Sequence, residues 1–156
     1  ASSERRDPYS PLAALKTTSR ADYVYARLEA SRSGADDALF LTIDGHLSEA
    51  TSSNVFLVRR APGGAIELAT PSLECAILPG TTRSWLLRWA ETAGLLPVEA
   101  ALTPDDLLAA DEAFVCASVM GVIAVTSFAG SPIGDGRPGP WTRRARADRE
   151  EFIRQG

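Results

Sequence analysis

Asp44-Gly45 limits the folds open to this chain more than any other pair of residues. It sits between the apolar run Ala38-Leu39-Phe40-Leu41-Thr42-Ile43 and the segment His46-Leu47-Ser48-Glu49. A two-residue turn that matches the twist of its strands needs backbone at positive φ, and Asp-Gly supplies it, so the pair predicts an antiparallel hairpin. Asn54-Val55-Phe56-Leu57-Val58 reads as a third strand and Ile66 to Thr70 as a fourth, across a turn holding Pro62, Gly63 and Gly64. Further strands are expected at Val98–Leu102, Glu112–Cys116 and Val122–Phe128, with a strand edge at Ser131-Pro132-Ile133.

Helices fall between these strands. One is expected over Ser19–Ser33, with Tyr23, Ala26, Arg27, Leu28 and Ala30 on its inner stripe and Gly34 as its stop. A second opens at Thr81-Thr82 after Pro79-Gly80, carries Trp85, Leu86, Trp89, Ala90 and Ala93 on its apolar face, and ends at Gly94. Thr103-Pro104-Asp105-Asp106 has the N-cap, first-turn proline and acids of a short helix to Ala109. Trp141 to Arg154 is a charged helix. Strands interspersed with helices, several of them joined by hairpins, give an α+β, mixed α/β class.

The 156 residues suit one domain with a real core, and 45% hydrophobic with 23% charged residues is an ordinary globular balance. A net charge of −4 argues against nucleic acid or an anionic membrane as partner, and no apolar run approaches the roughly 20 residues of a membrane helix. No secretory pattern is visible at the start. Cys75 and Cys116 lie far apart among apolar neighbours and read as two buried free thiols, which predicts a reducing, cytoplasmic setting. The basic residues are 15 arginines and a single lysine, Lys16. Arginine matches lysine in charge, but its guanidinium stays protonated and forms no imine with an aldehyde.

Four segments are candidates for chemistry, and each also has an ordinary structural reading. If Leu15 and Lys16 extend a strand, burial would lower the pKa of the Lys16 amine and free its nucleophilic form; otherwise Lys16 is a solvated lysine at an element boundary. Gly80-Thr81-Thr82 at a helix start offers free N–H groups and two hydroxyls to an anion, or is a plain N-cap. It lacks the lysine and spacing of a nucleotide P-loop. Glu49, ahead of Ala50-Thr51-Ser52-Ser53-Asn54, is a carboxylate at a tight crossing or an exposed strand end. Cys116-Ala117-Ser118-Val119-Met120-Gly121 is small enough to let backbone approach a ligand, or is a packed loop. His46 is expected to be exposed and has no triad partners, and no cluster has zinc spacing. Arg137, Arg143, Arg144, Arg146 and Arg149 alternate with acids and read as a solvated face.

Taken in order, these segments resemble the fold type IV pyridoxal-phosphate enzymes, the class IV aminotransferases. That group holds branched-chain and D-amino-acid aminotransferases, amine transaminases and 4-amino-4-deoxychorismate lyases. The resemblance runs from Leu15 to about Thr142. It is carried by Leu15-Lys16-Thr17-Thr18, by Asp44-Gly45-His46-Leu47-Ser48-Glu49 with Ala50-Thr51-Ser52-Ser53-Asn54-Val55-Phe56, by Ile77-Leu78-Pro79-Gly80-Thr81-Thr82-Arg83, by Ala110-Asp111-Glu112-Ala113-Phe114-Val115 and by Gly134-Asp135-Gly136-Arg137-Pro138-Gly139-Pro140.

The resemblance implies the C-terminal domain of the D-amino-acid aminotransferase-like fold, a hairpin-rich mixed sheet or pseudo-barrel flanked by helices. It implies pyridoxal 5'-phosphate as cofactor and an amino-bearing small molecule as substrate. Lys16 matches the lysine that binds the cofactor and moves protons. Glu49 matches the acid that pairs with the pyridine nitrogen, and Leu78 the apolar residue on a ring face. Thr81, Thr82 and Ser118 match the phosphate cup. On this reading residues 1–15 are an arm or interdomain linker, 16–156 form the cofactor-binding large domain, and the small N-terminal domain of the family is absent. A homodimer is implied for the full-length protein. A fragment that keeps the fold without cofactor or activity is the alternative. Ala21 stands where branched-chain aminotransferases usually have a tyrosine, and Ser118-Val119-Met120-Gly121 looks more like the lyases, so the lean is toward a lyase.

Overall fold

The computed structural model describes residues 1–13 and 15–155. The hairpin forms at the Asp-Gly pair, but around the three-residue loop Ile43-Asp44-Gly45, closed by Thr42 N donating to His46 O at 2.8 Å, rather than as the two-residue turn expected. β2 (Leu39–Thr42) and β3 (Leu47–Ala50) are antiparallel with Leu41 opposite Leu47, and Gly45 takes the positive φ of +86° that the turn needs. A strand not expected from the sequence, β1 (Arg5–Arg6), adds parallel to β2 and completes a three-stranded sheet. Ser2 is buried, its N–H donates to Leu39 O at 2.9 Å, and Ile43 N donates to Arg6 O at 2.9 Å. A two-residue strand without apolar alternation leaves no periodic trace in the sequence.

β4 (Asn54–Arg60), β5 (Ile66–Pro71), β6 (Leu96–Ala100), β7 (Glu112–Ala117) and β8 (Gly121–Val125) form the larger sheet in the order β6-β5-β4-β7-β8. All its pairings are antiparallel except β5 with β6, whose connection carries α2 (Thr81–Ala93). The strand expected over Val122–Phe128 ends at Val125. Ser127–Phe128 (β9) leaves the sheet to pair with Ser131–Pro132 (β10), and Ile133 N donates to Thr126 O between them.

Alternation along β4 sorts the core into two layers. Phe56 and Val58 face one way, with Leu68, Phe114, Cys116 and Val122, and are covered by Leu86, Trp89 and Ala90 of α2 and Ala145 of α4 (Pro140–Gln155). Leu57 faces the other way, with Ala69 and Ala113, against Leu41 and Leu47 of the small sheet, Ile133, Leu102 and Leu107 of α3 (Pro104–Leu108). α1 (Ala21–Arg32) buries only Ala26 and Ala30 against Phe40, with Tyr23 edge-on to the same ring. Leu28, expected on the inner stripe, is exposed, as are Val24 and Tyr25, because two alanines bring the helix close along a narrow line. His46 is half-buried rather than exposed: its carbonyl accepts from Thr42 N at 2.8 Å and its N–H donates to Thr42 Oγ1 at 3.1 Å. Both cysteines are buried and free, as expected. No described helix is long and apolar enough to cross a membrane.

α4 starts on a buried acid. Glu112 accepts from Trp141 N at 3.0 Å and from both Thr142 N and Thr142 Oγ1 at 2.8 Å, satisfying first-turn donors. Gly139 lets the carboxyl in, since a Cβ there would lie 2.0 Å from Glu112 Cδ. Gly139→Ala is expected to destabilise the fold by about 1–3 kcal/mol, the size of an overpacking penalty, and urea unfolding followed by circular dichroism measures it.

Candidate functional site

Three loops and a helix end meet at one edge of the larger sheet. β3 leads through Thr51, Ser52 and Ser53 into β4, and Asn54 at the start of β4 pairs with Cys116 near the end of β7. The tight β7–β8 turn then places Ser118, Val119 and Met120 beside the start of α2. A cavity of about 640 Å³ lies between them, within the usual size of a small-molecule site. All six residues singled out in the sequence line it: Lys16, Glu49, Leu78, Thr81, Thr82 and Ser118.

Lys16 does not extend a strand. It lies in irregular chain ahead of α1, is exposed, and lines the cavity. The apolar Leu12–Leu15 run suggested burial, yet Leu12 and Leu15 are themselves exposed.

Glu49 is buried, and both of its oxygens are held. Oε1 accepts from the Tyr23 hydroxyl at 3.0 Å and lies 3.5 Å from Arg6 Nη2, while Oε2 accepts from Leu78 N at 2.9 Å. Burial raises its pKa. The Leu78 N–H, the Tyr23 hydroxyl and the Arg6 and Arg20 charges oppose that rise. The Tyr23 hydroxyl is itself pushed up to about 12, by burial first and the Glu49 charge second. Leu78 thus has two functions. Its side chain lines the cavity, and its backbone ties Glu49 to Asn54, whose Nδ2 donates to Leu78 O at 3.0 Å.

α2 begins without a side-chain cap. Its N-cap residue, Gly80, packs so closely on Asn54 that a Cβ there would lie 2.2 Å from Asn54 Oδ1. Thr81 Oγ1 and Ser118 Oγ are 3.0 Å apart, each able to donate, and Thr82 Oγ1 is buried with no partner among the described residues. Arg83 anchors this helix end through Nη2, which donates to Pro71 O at 2.8 Å and pairs with Glu99. Uncapped first-turn N–H groups, three hydroxyls and the positive end of the helix dipole suit a dianion.

The sequence reading did not single out Arg6, Arg20, Tyr23 or Ser53. The helical period puts Tyr23 on the inner stripe of α1 and carries no hint that its hydroxyl reaches Glu49. Arg6 contacts Asp22 at 3.3 Å and Glu49, and packs over the Tyr23 and Phe40 rings. The Arg20 guanidinium lies 3.9 Å from the Tyr23 ring centre. Nothing local marks these contacts, because each depends on where β1 and α1 dock.

Comparison with known proteins adds independent findings. Residues 1–128 match the family model described as amino-transferase class IV. A D-alanine aminotransferase of Bacillus licheniformis is 37% identical over 130 residues, covering 83% of this chain and 44% of the relative. The branched-chain-amino-acid aminotransferase of Escherichia coli strain K12 is 33% identical over 116 residues, 74% of this chain and 36% of the relative. Among solved structures, the cofactor-bound branched-chain amino acid aminotransferase of Thermobaculum terrenum superposes with a TM-score of 0.89 at 31% identity, over 97% of this chain and 49% of that one. A Legionella pneumophila protein assigned as a 4-amino-4-deoxychorismate lyase gives 0.83 at 30%, over 97% and 53%. The chain spans about half or less of the length of the curated relatives it matches.

Proposed function

The chain belongs to the class IV aminotransferase family, and on that premise we propose that it forms the cofactor-carrying part of a pyridoxal-phosphate enzyme acting on an amino-bearing small molecule. The observation that carries this reading is the convergence of an amine, a buried carboxylate and an uncapped helix end on one cavity wall. The donor set fits the cofactor. The orphaned Thr82 hydroxyl, the Thr81–Ser118 pair and the α2 N–H groups suit its phosphate, and the engaged Glu49 suits a protonated ring nitrogen.

When bound, pyridoxal phosphate supplies an electron sink for a carbanion at the substrate carbon. The residues of the chain do the rest. The amine of Lys16 would hold the cofactor and carry a proton to or from the substrate carbon. Glu49 would keep a proton on the ring nitrogen, with its own charge steadied by Tyr23, Leu78 and Arg6. Thr81, Thr82 and Ser118 would hold the phosphate, and Leu78 would give the cofactor an apolar contact. Amino transfer to a 2-oxo acid is the reading that most of the relatives' names favour. Elimination of pyruvate from 4-amino-4-deoxychorismate is the second, supported by the Legionella neighbour and by Ala21 in place of tyrosine. The exposed Val24, Tyr25 and Leu28 of α1 accord with a homodimer, and the two free thiols with a cytoplasmic setting.

The test is borohydride reduction of the full-length protein with cofactor, followed by peptide mapping. A single label on Lys16 supports the reading, and a label elsewhere or none overturns it. The phosphate cup has its own test. Removing two charge-assisted hydrogen bonds in the double variant Thr81→Ala, Ser118→Ala is expected to weaken pyridoxal phosphate binding about 10- to 100-fold while leaving unphosphorylated pyridoxal unchanged. Equilibrium dialysis of both compounds measures the difference.

A further inference from the structure

Three residues, Leu78-Pro79-Gly80, join the acid of the cavity to its helix end. Leu78 N donates to Glu49 Oε2 at 2.9 Å. Gly80 O accepts from Ser84 N at 3.0 Å, the bond that starts α2. Between them, Pro79 fixes its own φ and restricts Leu78, so the loop has little freedom of its own. A shift of this loop moves the partner of Glu49 and the first turn of α2 together.

Asn54 holds the loop at two points. Nδ2 donates to Leu78 O at 3.0 Å, and Oδ1 lies against Gly80, where a Cβ would come within 2.2 Å. Gly80 has φ −64° and ψ 139°, values open to any residue, so the close approach of Asn54 and not the backbone calls for glycine here. Among the described residues, Asn54 and Glu49 are the only side chains outside α2 that hydrogen-bond residues 78–80. Asn54 is buried and opens β4, the middle strand of the larger sheet, opposite Cys116 of β7. A side chain rooted in such a strand holds its partners more precisely than one on a loop.

We infer that Asn54 is a positioning residue: by clamping Leu78 and Gly80 to the sheet it fixes the span between Glu49 and the N-terminus of α2. The clamp stands on the geometry. Its use rests on the proposed function, in which one ligand meets the acid with its ring nitrogen and the helix end with its phosphate. Such a ligand makes its second contact without a further loss of freedom only where the two ends already match it. A loosened span leaves each contact intact when taken singly and removes the gain from joining them.

Two measurements on the full-length protein test this. The first is amide hydrogen exchange without ligand. In the wild type the Leu78 and Ser84 N–H groups are expected to open as one unit with similar protection, and widely different protection overturns the inference. Asn54→Ala is expected to speed exchange of both by about 5-fold, the effect of one lost hydrogen bond, and to leave the β4 and β7 amides as they were. No change at either amide overturns the inference, and so does an equal rise across the sheet, which marks a general loss of stability. The second is binding of pyridoxine 5'-phosphate, pyridoxine and inorganic phosphate, none of which has an aldehyde for Lys16. Asn54→Ala is expected to lose about 10-fold in affinity for the phosphate ester and under about 3-fold for either single-ended probe. Equal losses for the ester and a single-ended probe overturn the inference. Gly80→Ala presses on the same contact from the other side and is expected to reproduce both results, so it replaces Asn54→Ala should that variant fail to fold. A wild type that binds neither pyridoxine compound overturns the cofactor reading, and the exchange measurement then decides the clamp by itself.

Discussion

Replacing Lys16 with alanine in the full-length protein is expected to lower turnover by about 10³-fold or more while leaving the fold as stable as before. On the proposed function two roles would be lost together: covalent attachment of the cofactor, and proton transfer at the substrate carbon, which alone is worth about 10²- to 10⁴-fold. Stability is spared because Lys16 is exposed and lies outside the helices and strands, and such substitutions stay within about 0.5 kcal/mol. The proposed phosphate-binding hydroxyls and Glu49 remain, so on that proposal pyridoxal phosphate should still bind, but reversibly and without a borohydride-fixed label. Lys16→Arg keeps the charge and should be equally inactive, since guanidinium does not add to an aldehyde under these conditions. Steady-state rates, thermal unfolding and the visible spectrum of the three proteins check the expectation. A Lys16→Ala protein that keeps a tenth of wild-type turnover would falsify the assignment of Lys16.

The parts of this site that were legible in the sequence share a property: each is written in neighbouring residues. Asp44-Gly45 encodes its turn, Gly80-Thr81-Thr82 encodes a helix start, and small residues after Cys116 encode a tight turn. The larger sheet was legible for the same reason, because alternation along Asn54–Val58 and Glu112–Cys116 is local. What escaped depends on docking. Arg5–Arg6 became a strand only because β2 offered an edge, and Tyr23 reached Glu49 only because Ala26 and Ala30 let α1 sit against Phe40. The burial expected for Lys16 was inferred from apolar neighbours in sequence, and the chain there turned its leucines outward instead. Local pattern located groups that line the cavity, while the groups that pack around Glu49 came from elements distant in sequence.

Arg6→Met should show how much depends on one of those distant groups. Arg6 is nearly buried, contacts Asp22 and Glu49, and donates to Ala13 O and Ala76 O. Methionine fills much of the same space against Tyr23 and Phe40 but leaves Glu49 without its closest cation. Breaking a buried pair from one side costs about 3–5 kcal/mol, and thermal or urea unfolding near neutral pH is expected to show a loss approaching that size. The loss should depend on pH with a definite sign. Burial already holds the Glu49 pKa above its unfolded value, so its ionisation works against the folded state, and stability falls as pH rises from the usual carboxylate range toward the folded pKa. Arg6 opposes that rise, so removing it lifts the folded pKa further and widens the window. Below the usual carboxylate range Glu49 is neutral in both folded and unfolded chains, and the part of the deficit due to the Arg6–Glu49 pair should vanish. The difference between variant and wild type is therefore expected to grow with pH, whereas a purely steric defect would give a constant offset. Arg6→Lys, which keeps the charge, should restore part of the pH dependence but not the fork to Ala76 O. A flat difference from acid to neutral pH would mean that Arg6 acts by packing alone, and that Glu49 holds its charge through Tyr23 and the Leu78 N–H.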